Sequence, residues 1–270
     1  MEVDLKNIWT RIVAETSNEC ERDPQISIFL EQHILRFDNF ADSLAMLLSV
    51  KLGSKHFPPP VLQGLFEDFY HQCPEEVEHA ACDLVATQQR DPAAVNYFEI
   101  MLFLKGFQAL QAYRLAHWLW NNGRKTMAYF IQNRMSEVFS VDIHPAAVIG
   151  KGILFDHATS LVIGETAVVE DNVSILHEVT LGGTGKETGD RHPKVRKSVL
   201  IGAGAKILGN VEIGEGSKVG AGSVVLDDVP PHYTVVGVPA QIVGKTEVAE
   251  PSLDMNQKVV ASEAGDDALA

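Results

Sequence analysis

The chain has 270 residues and a formal net charge of −14, and 46% of its residues are hydrophobic. This apolar content is enough for a sizeable core in one or two domains, and it excludes a disordered or collagen-like chain. The negative charge argues against binding nucleic acid or an anionic membrane through bulk charge, although a local basic pocket can still hold an anion.

Cysteine usage and the hydropathy pattern indicate the compartment. The three cysteines are widely spaced and lack a CxxC pair, which disfavours a disulfide framework and a structural zinc site. The N-terminus is charged and has no apolar run of the signal-peptide kind. The most apolar window, at 97–120, contains Glu99, Lys105 and Arg114, too many charges for a membrane span. We therefore expect a soluble, cytoplasmic protein.

Residues 1–142 have the pattern of helices separated by prolines and acidic residues. Asp91 precedes Pro92, an order typical of a helix N-cap followed by the first helical residue. The helix predicted after this point has an unusually wide apolar face, which indicates burial against several neighbours or another subunit. These features predict an all-helical N-terminal domain.

From Ile143 onward an aliphatic or aromatic residue recurs every six positions, with a slip of two residues after Phe155 and an insertion of eight after Leu181. The unit starts are Ile143, Ile149, Phe155, Ile163, Val169, Ile175, Leu181, Val195, Ile201, Ile207, Ile213, Val219 and Val225. One such unit cannot bury its apolar face alone, so stacked units must supply the core. The pattern predicts a parallel β-solenoid at 143–245 and an α+β fold class. Residues 246–270, acidic and poor in large apolar groups, are predicted to form a flexible tail.

The two interruptions of the repeat carry polar residues. The first follows the run from Asp156 to Ser160, and the second is an excursion at 182–194 that contains Arg191 and His192. Loops on a rigid scaffold are where binding and catalytic residues concentrate. A histidine can accept a proton from a hydroxyl near neutral pH, and an arginine can hold a carboxylate through two hydrogen bonds.

Each candidate also has a structural interpretation that spacing leaves open. His157 can be a structural hydrogen-bonding residue instead of a general base. Asp142 precedes His157 by fifteen residues, which permits a pair between adjacent coils but does not require one. Asp91 can be a helix cap, and the loop around Arg191 can be an ordinary solvated loop.

At these residues the chain resembles the serine O-acetyltransferase family. The resemblance rests on DHAT at 156–159, IGETA at 163–167, VTLGGTGK at 179–186, GDRHPK at 189–194, IGAGAKILGN at 201–210 and GVPA at 237–240. It covers about residues 5–245. It implies an N-terminal helical oligomerisation domain that contributes to the active site. This domain is followed by a left-handed β-helix of hexapeptide repeats, with three units in each triangular coil.

The resemblance also implies a reaction, the direct transfer of acetyl from acetyl-CoA to the hydroxyl of L-serine. The products are O-acetyl-L-serine and CoA, and the step is the first in cysteine biosynthesis from serine. By this likeness His157 is the general base and Asp142 orients it. The residues implied to hold serine are Arg191 and His192 for the carboxylate, with His192 also in the catalytic set, and Asp91 and Asp156 for the ammonium group.

The family likeness makes acetyl-CoA a co-substrate and implies neither a permanently bound cofactor nor a metal. Ala203 and Ala221 match positions that contact the CoA arm, and they are eighteen residues, hence one coil, apart. The remaining CoA contacts implied are Gly183 and Thr184 in the extended loop 183–194, together with Lys218 and Lys245.

Assembly and regulation follow from the same likeness. Members form trimers of β-helices that join through their helical domains into hexamers, with active sites between subunits, and L-cysteine commonly inhibits them by occupying the serine site. Many members bind O-acetylserine sulfhydrylase through a C-terminal isoleucine. This sequence ends in Leu269 and Ala270, so the likeness does not extend to that anchor.

Three alternatives remain from the residues alone. A related hexapeptide enzyme can acylate a sugar, an antibiotic or an amine, and would not need Arg191 as a carboxylate clamp. A zinc site of the kind found in β-helical carbonic anhydrases, with histidines contributed across a trimer interface, can use His157 and His177, which occupy equivalent places three units apart. A non-catalytic solenoid can serve only to oligomerise and bind a partner through its tail.

Overall fold

The structure, a computed structural model, describes residues 3–185 and 188–259. Residues up to Phe139 are mainly helical, and β-strands begin at Val141, two residues before the boundary predicted from the repeat. The helices in this part are Leu5–Arg22 (α1), Ser27–Leu30 (α2) with the π-helical turn Glu31–Leu35, Phe40–Leu52 (α3), Pro59–Gln72 (α4), Pro74–Arg90 (α5), Tyr97–Phe103 (α6), Lys105–Asn121 (α7) and Lys125–Phe139 (α8).

Short polar side chains and prolines define the helix ends. Asp4 caps α1 by accepting the backbone N–H groups of Lys6 and Asn7, and prolines occupy the first turns of α4 and α5, where an N–H has no helical partner. Asp91 differs from the prediction. It ends α5, and its carboxylate accepts the N–H of Ala93 at 2.8 Å within a turn. The helix therefore begins at Tyr97, five residues later than an N-cap at Asp91 would place it.

The second part is a parallel solenoid with three faces, each crossed once by every coil. Face A contains Val141–Ile143 (β1), Leu161–Ile163 (β4), Thr180–Gly182 (β7), Lys206–Leu208 (β10) and Val224–Val225 (β13). Face B contains Val148–Ile149 (β2), Val168–Val169 (β5), Lys194–Val195 (β8) and Glu212–Ile213 (β11). Face C contains Leu154–Phe155 (β3), Ser174–Ile175 (β6), Leu200–Ile201 (β9), Lys218–Val219 (β12), Tyr233–Gly237 (β14) and the antiparallel Ala240–Lys245 (β15).

The residues that start the repeats form the interior of this solenoid. On face A the register aligns Ile163 with Ile143 and Leu181, and Ile207 continues the column. All thirteen unit starts are buried. The two interruptions of the repeat lie at the positions predicted from the sequence. Both fall at corners of the coil, because only there can extra residues leave the coil without moving an inward side chain.

A buried ion pair joins the helical part to the first coil. Asp83 of α5 and Arg114 of α7 have side chains that are 0% and 3% exposed, with Oδ2 and Nη2 2.7 Å apart. The carboxylate also accepts from Gln111 (3.0 Å) and from the backbone N–H of Ile153 (2.9 Å), while Arg114 Nη2 donates to the carbonyl of Gly150 (2.8 Å). Helix and coil therefore share one hydrogen-bond network.

The first part of the predicted flexible tail at 246–270 makes contacts with the solenoid. A short helix, Pro251–Asp254 (α9), packs on face C, and Ser252 is buried between the carbonyl of Asn172 and the hydroxyl of Ser174. Glu250 accepts a hydrogen bond from Ser198 at 3.0 Å. Hydroxyl groups on face C thus form hydrogen bonds with this segment, and the composition of the segment did not reveal those partners. Residues 260–270, including Leu269 and Ala270, lie outside the described residues.

Within the described ranges, no helix is long and apolar enough to cross a lipid bilayer.

The domain interface yields a stability prediction. We expect Asp83→Ala to lower the free energy of unfolding by about 3–5 kcal/mol, because Arg114 would remain buried without its counter-charge. Urea denaturation followed by circular dichroism measures the change. The control is Arg22→Ala, which removes an ion pair on a side chain that is 83% exposed and should cost less than about 1 kcal/mol. Equal effects of the two substitutions would contradict the structural role of Asp83.

Candidate active site

The predicted site residues lie mainly along two edges of the solenoid, on either side of face A. We call the corner between faces C and A edge CA; it includes 156–160, 176–179, 202–205 and 220–223. The corner between faces A and B is edge AB; it includes 144–147, 164–167 and 183–193, of which 186–187 lie outside the described residues.

His157 projects from edge CA. It has φ +56° and Ala158 has φ +57°, a left-handed conformation that non-glycine residues adopt at a cost and that turns the chain sharply. The His157 side chain is 76% exposed, and its Nε2 lies 3.9 Å from Asp156 Oδ1. The ring of His177, one coil further on, is 5.8 Å away edge to face. The imidazole of His157 therefore projects outward from the coil and is largely exposed.

Two carboxylates lie beside His157. Asp156 precedes it, and Asp91 reaches the same place from the turn after α5, where both line a cavity of about 400 Å³. Burial raises the pKa of Asp156, and the nearby Asp91 acts in the same direction, while His157 and His177 oppose it. Two carboxylates on one cavity favour a bound cation such as an ammonium group.

The start of α7 holds the His157 corner in place. Lys105 Nζ donates to Thr159 Oγ1 at 2.6 Å. Gly106 lies so close to Phe155 that a Cβ would overlap the Phe155 carbonyl oxygen, so a side chain at 106 would push the helix off the coil. In the sequence, Lys105 stands out only as a charged residue in an apolar window. That charge was the available indication that Lys105 has a polar partner.

Asp142 is not in hydrogen-bond contact with His157 in this chain. It lies in β1 on face A, where its Oδ1 accepts from Gln132 Nε2 at 2.7 Å. The corner that carries His157 is nevertheless tied to the start of β1, because the N–H of Ser160 donates to the carbonyl of Ser140 at 2.7 Å. The pairing of Asp142 with His157 stays a prediction.

Arg191 and His192 lie together on edge AB. Arg191 Nη2 is 2.6 Å from Glu165 Oε2, and Nη1 donates to the carbonyl of Gly189 at 3.1 Å. His192 is 7% exposed and packs on Thr166 of the preceding coil. Glu165 and Thr166 had no assigned role from sequence, although both belong to the IGETA run. This pair of side chains is therefore separated from His157 by the width of face A.

The residues predicted to contact CoA divide into three places. On edge CA the strand register puts Ala203 and Ala221 in one column with His157 and His177, two residues beyond the paired positions of face C. Gly183 and Thr184 begin the loop on edge AB, whose later residue Lys186 lies outside the described residues. On face C the ammonium of Lys218, a buried residue, donates to the carbonyl of Lys258, and Lys245 Nζ lies 6.0 Å from the Tyr233 ring centre.

The zinc alternative requires a group of metal-ligating side chains. Within residues 3–185 and 188–259, no three His, Cys, Asp or Glu side chains converge closely enough to hold a metal ion. Zinc in proteins takes three or four ligands, so a site at His157 and His177 would need at least one more from another subunit.

Two family models match the chain. Residues 8–112 match the N-terminal domain of serine acetyltransferases, and residues 192–227 match the hexapeptide repeat of bacterial transferases. The serine acetyltransferase of Escherichia coli K12 is 53% identical over 254 residues, which cover 94% of this chain and 93% of that protein.

Solved structures agree with the sequence comparison. The serine acetyltransferase of Vibrio cholerae superposes with a TM-score of 0.93 at 52% identity, covering 94% of this chain and 99% of that one. A serine acetyltransferase solved in complex with cysteine gives 0.93 at 49%, covering 95% and 100%. The enzyme of Brucella abortus in complex with coenzyme A gives 0.88 at 50%, covering 90% and 97%.

These matches extend across both the helical part and the solenoid, and they confirm the predicted fold, a helical domain followed by a left-handed β-helix of hexapeptide repeats. The chain belongs to the serine acetyltransferase family of enzymes.

Proposed function

We propose that this protein transfers acetyl from acetyl-CoA to the hydroxyl of L-serine, giving O-acetyl-L-serine and CoA for cysteine biosynthesis. The observation that carries the proposal is the column on edge CA, where the small residues Ala203 and Ala221 lie in register with His177 and the exposed His157. Small side chains leave space for an extended thioester arm that ends at a base. The family membership supplies the acceptor.

His157 acts as the general base in the proposed mechanism. Its neutral imidazole accepts the serine hydroxyl proton as the oxygen attacks the thioester carbonyl. The tetrahedral intermediate collapses with cleavage of the C–S bond, and the imidazolium returns the proton to the CoA thiolate. No acyl-enzyme is required, because the thioester is already activated. Asp142, close to the start of β1, is retained as the residue that orients His157.

The serine site is completed by a second subunit. Asp91 and Asp156 on edge CA bind the ammonium group, while Arg191 and His192, across face A on edge AB, bind the carboxylate. Edge CA of one chain can meet edge AB of the next only in a head-to-tail interface, and three such contacts close a ring. We therefore propose a trimer with one site at each interface, joined through the helical domains into a hexamer.

CoA lies along edge CA with its pantetheine arm beside Ala203 and Ala221. Lys218 and Lys245 supply cations for its phosphates, and Gly183 and Thr184 of the adjacent subunit face the arm. The coenzyme A complex of the Brucella abortus enzyme supports this ligand.

L-cysteine differs from L-serine only by sulfur in place of oxygen, so the same ammonium and carboxylate groups bind it. We propose that it inhibits by occupying the serine site, and a family structure in complex with cysteine supports this.

The first prediction concerns the base. His157→Ala should lower kcat by at least about 100-fold, because the hydroxyl proton has no acceptor. Released CoA thiol is followed with acetyl-CoA and L-serine, after subtraction of the signal from the three cysteines of the protein. The matched control is His177→Gln on the same edge, which should retain most of the activity. Release with homoserine or a galactoside instead of serine would contradict the proposed acceptor.

The second prediction concerns the interface. His157→Ala and Arg191→Ala should each be nearly inactive, but hybrids assembled from a 1:1 mixture of the two chains should recover about a quarter of wild-type activity. That fraction follows because one interface in four combines an intact edge CA with an intact edge AB. Co-expressed chains with two different affinity tags provide the hybrids.

The control mixture combines His157→Ala with Asp156→Ala. Both changes lie on edge CA, so every hybrid site carries one defect and no activity should return. Recovery in neither mixture, with trimers confirmed by light scattering, would show that each site is built within one chain.

A further inference from the structure

The turn Gly164–Glu165–Thr166, which we call the 164–166 turn, has no assigned role in the reaction. It joins β4 to β5 on edge AB and lies in the coil before the loop that ends in Arg191 and His192. Each of its three residues makes a different contact with that pair.

The hydroxyl of Thr166 contacts both Arg191 and His192, the two residues that we call the carboxylate clamp. Its Oγ1 accepts the backbone N–H groups of Arg191 (3.0 Å) and His192 (3.1 Å). The same oxygen lies 2.9 Å from His192 Nδ1, and since both of its lone pairs are used, its proton is shared between that nitrogen and the nearby Asp190 carboxylate. The Thr166 side chain thus holds the backbone of Arg191 and His192 and also contacts the Nδ1 edge of the His192 imidazole.

The same contacts determine the tautomer of His192. Nδ1 accepts the backbone N–H of Thr166 at 3.2 Å, and a backbone N–H can only donate, so the proton of the neutral ring is on Nε2. Burial lowers the pKa of His192, and the adjacent Arg191 cation lowers it further, which keeps the ring neutral. Among the described residues, none accepts a hydrogen bond from Nε2, so this N–H is available to a ligand.

Gly164 and Glu165 complete the arrangement. A Cβ at position 164 would overlap Cδ2 and Nε2 of His192, so only glycine lets the ring lie in this place. Glu165 Oε2 accepts from one terminal nitrogen of Arg191 and the carbonyl of Gly189 accepts from the other. The guanidinium is thereby held in one orientation before any ligand arrives.

We infer that the 164–166 turn presets the clamp for the serine carboxylate, with Thr166 as the positioning residue that holds His192 in its Nε2–H tautomer. The inference rests on the proposed function, in which Arg191 and His192 bind that carboxylate. A clamp oriented in advance loses less conformational freedom when the ligand binds.

The test compares Thr166→Val with Thr166→Ser in the full-length protein. Valine keeps the shape of threonine but removes the oxygen, while serine keeps the oxygen. L-serine binding is measured by titration calorimetry without acetyl-CoA, and KM is measured for both substrates. We expect Thr166→Val to weaken serine binding about tenfold or more, since the hydroxyl serves three hydrogen bonds, with KM for acetyl-CoA within about twofold of wild type.

Thr166→Ser should return serine affinity to within about threefold of wild type. Thr10→Val, on the exposed surface of α1, controls for the substitution itself and should leave serine binding unchanged. A second route to the same defect is Gly164→Ala, which displaces the His192 ring while keeping the Thr166 oxygen. It should weaken serine binding and spare acetyl-CoA, and it tests the inference even if Thr166→Val fails to fold.

The outcomes separate this inference from the proposed function. Wild-type protein that binds no L-serine overturns the proposed function and the ligand assigned to the clamp. Wild-type protein that binds serine, with unchanged affinity in Thr166→Val or Gly164→Ala, overturns the positioning role alone. Equal losses in Thr166→Ser and Thr166→Val would also overturn it, because the oxygen would then not be the cause.

Discussion

Asp83 and Arg114 are almost completely removed from water, and charges in such a place are stable only when each meets several hydrogen-bonding partners. Some of those partners belong to the first coil of the solenoid, the N–H of Ile153 and the carbonyl of Gly150. The helices therefore cannot shift along the coil without leaving buried charge unpaired. This constraint fixes the positions of α5 and α7 against the first coil.

The two ends of those helices lie at the proposed active site. Asp91 directly follows α5, and Lys105 begins α7, so the ion pair determines how both approach edge CA. Lys105 holds Thr159 and with it the left-handed turn that presents His157. The helical domain thus supplies a carboxylate and a support for the proposed base. The strain at 157–158 is maintained by packing from outside the coil.

The division of the site between two edges follows from solenoid geometry. Residues on one edge of stacked coils form a column, which suits a long ligand such as CoA, but a column presents the same kind of surface throughout. A small zwitterion needs cationic and anionic partners on opposite sides, and the edge that carries Arg191 and His192 is across face A. A closed ring of subunits is the simplest arrangement that brings both edges to one ligand. The 164–166 turn then orients one half of the site without help from the other.

The period of six residues by itself predicted the solenoid and its buried positions, while the family resemblance supplied the three units of each coil and the strand register the column of His157, His177, Ala203 and Ala221. Burial of one side chain in every unit leaves a single register, so position in the chain translates directly into position on an edge. The same logic located both interruptions. These features depend only on contacts between neighbouring coils, which the repeat encodes locally.

Tertiary structure alone decided the rest. The contacts that bury Ser252 on face C and seat His192 on Thr166 join distant residues, with chain separations of 26 for His192–Thr166 and 80 for Ser252–Asn172. No period or composition records which side chains a fold brings together at such distances. A hydroxyl that accepts two N–H groups, or a buried serine in an acidic segment, acquires its role only when the partner arrives, because the hydrogen bonds that define it are not local.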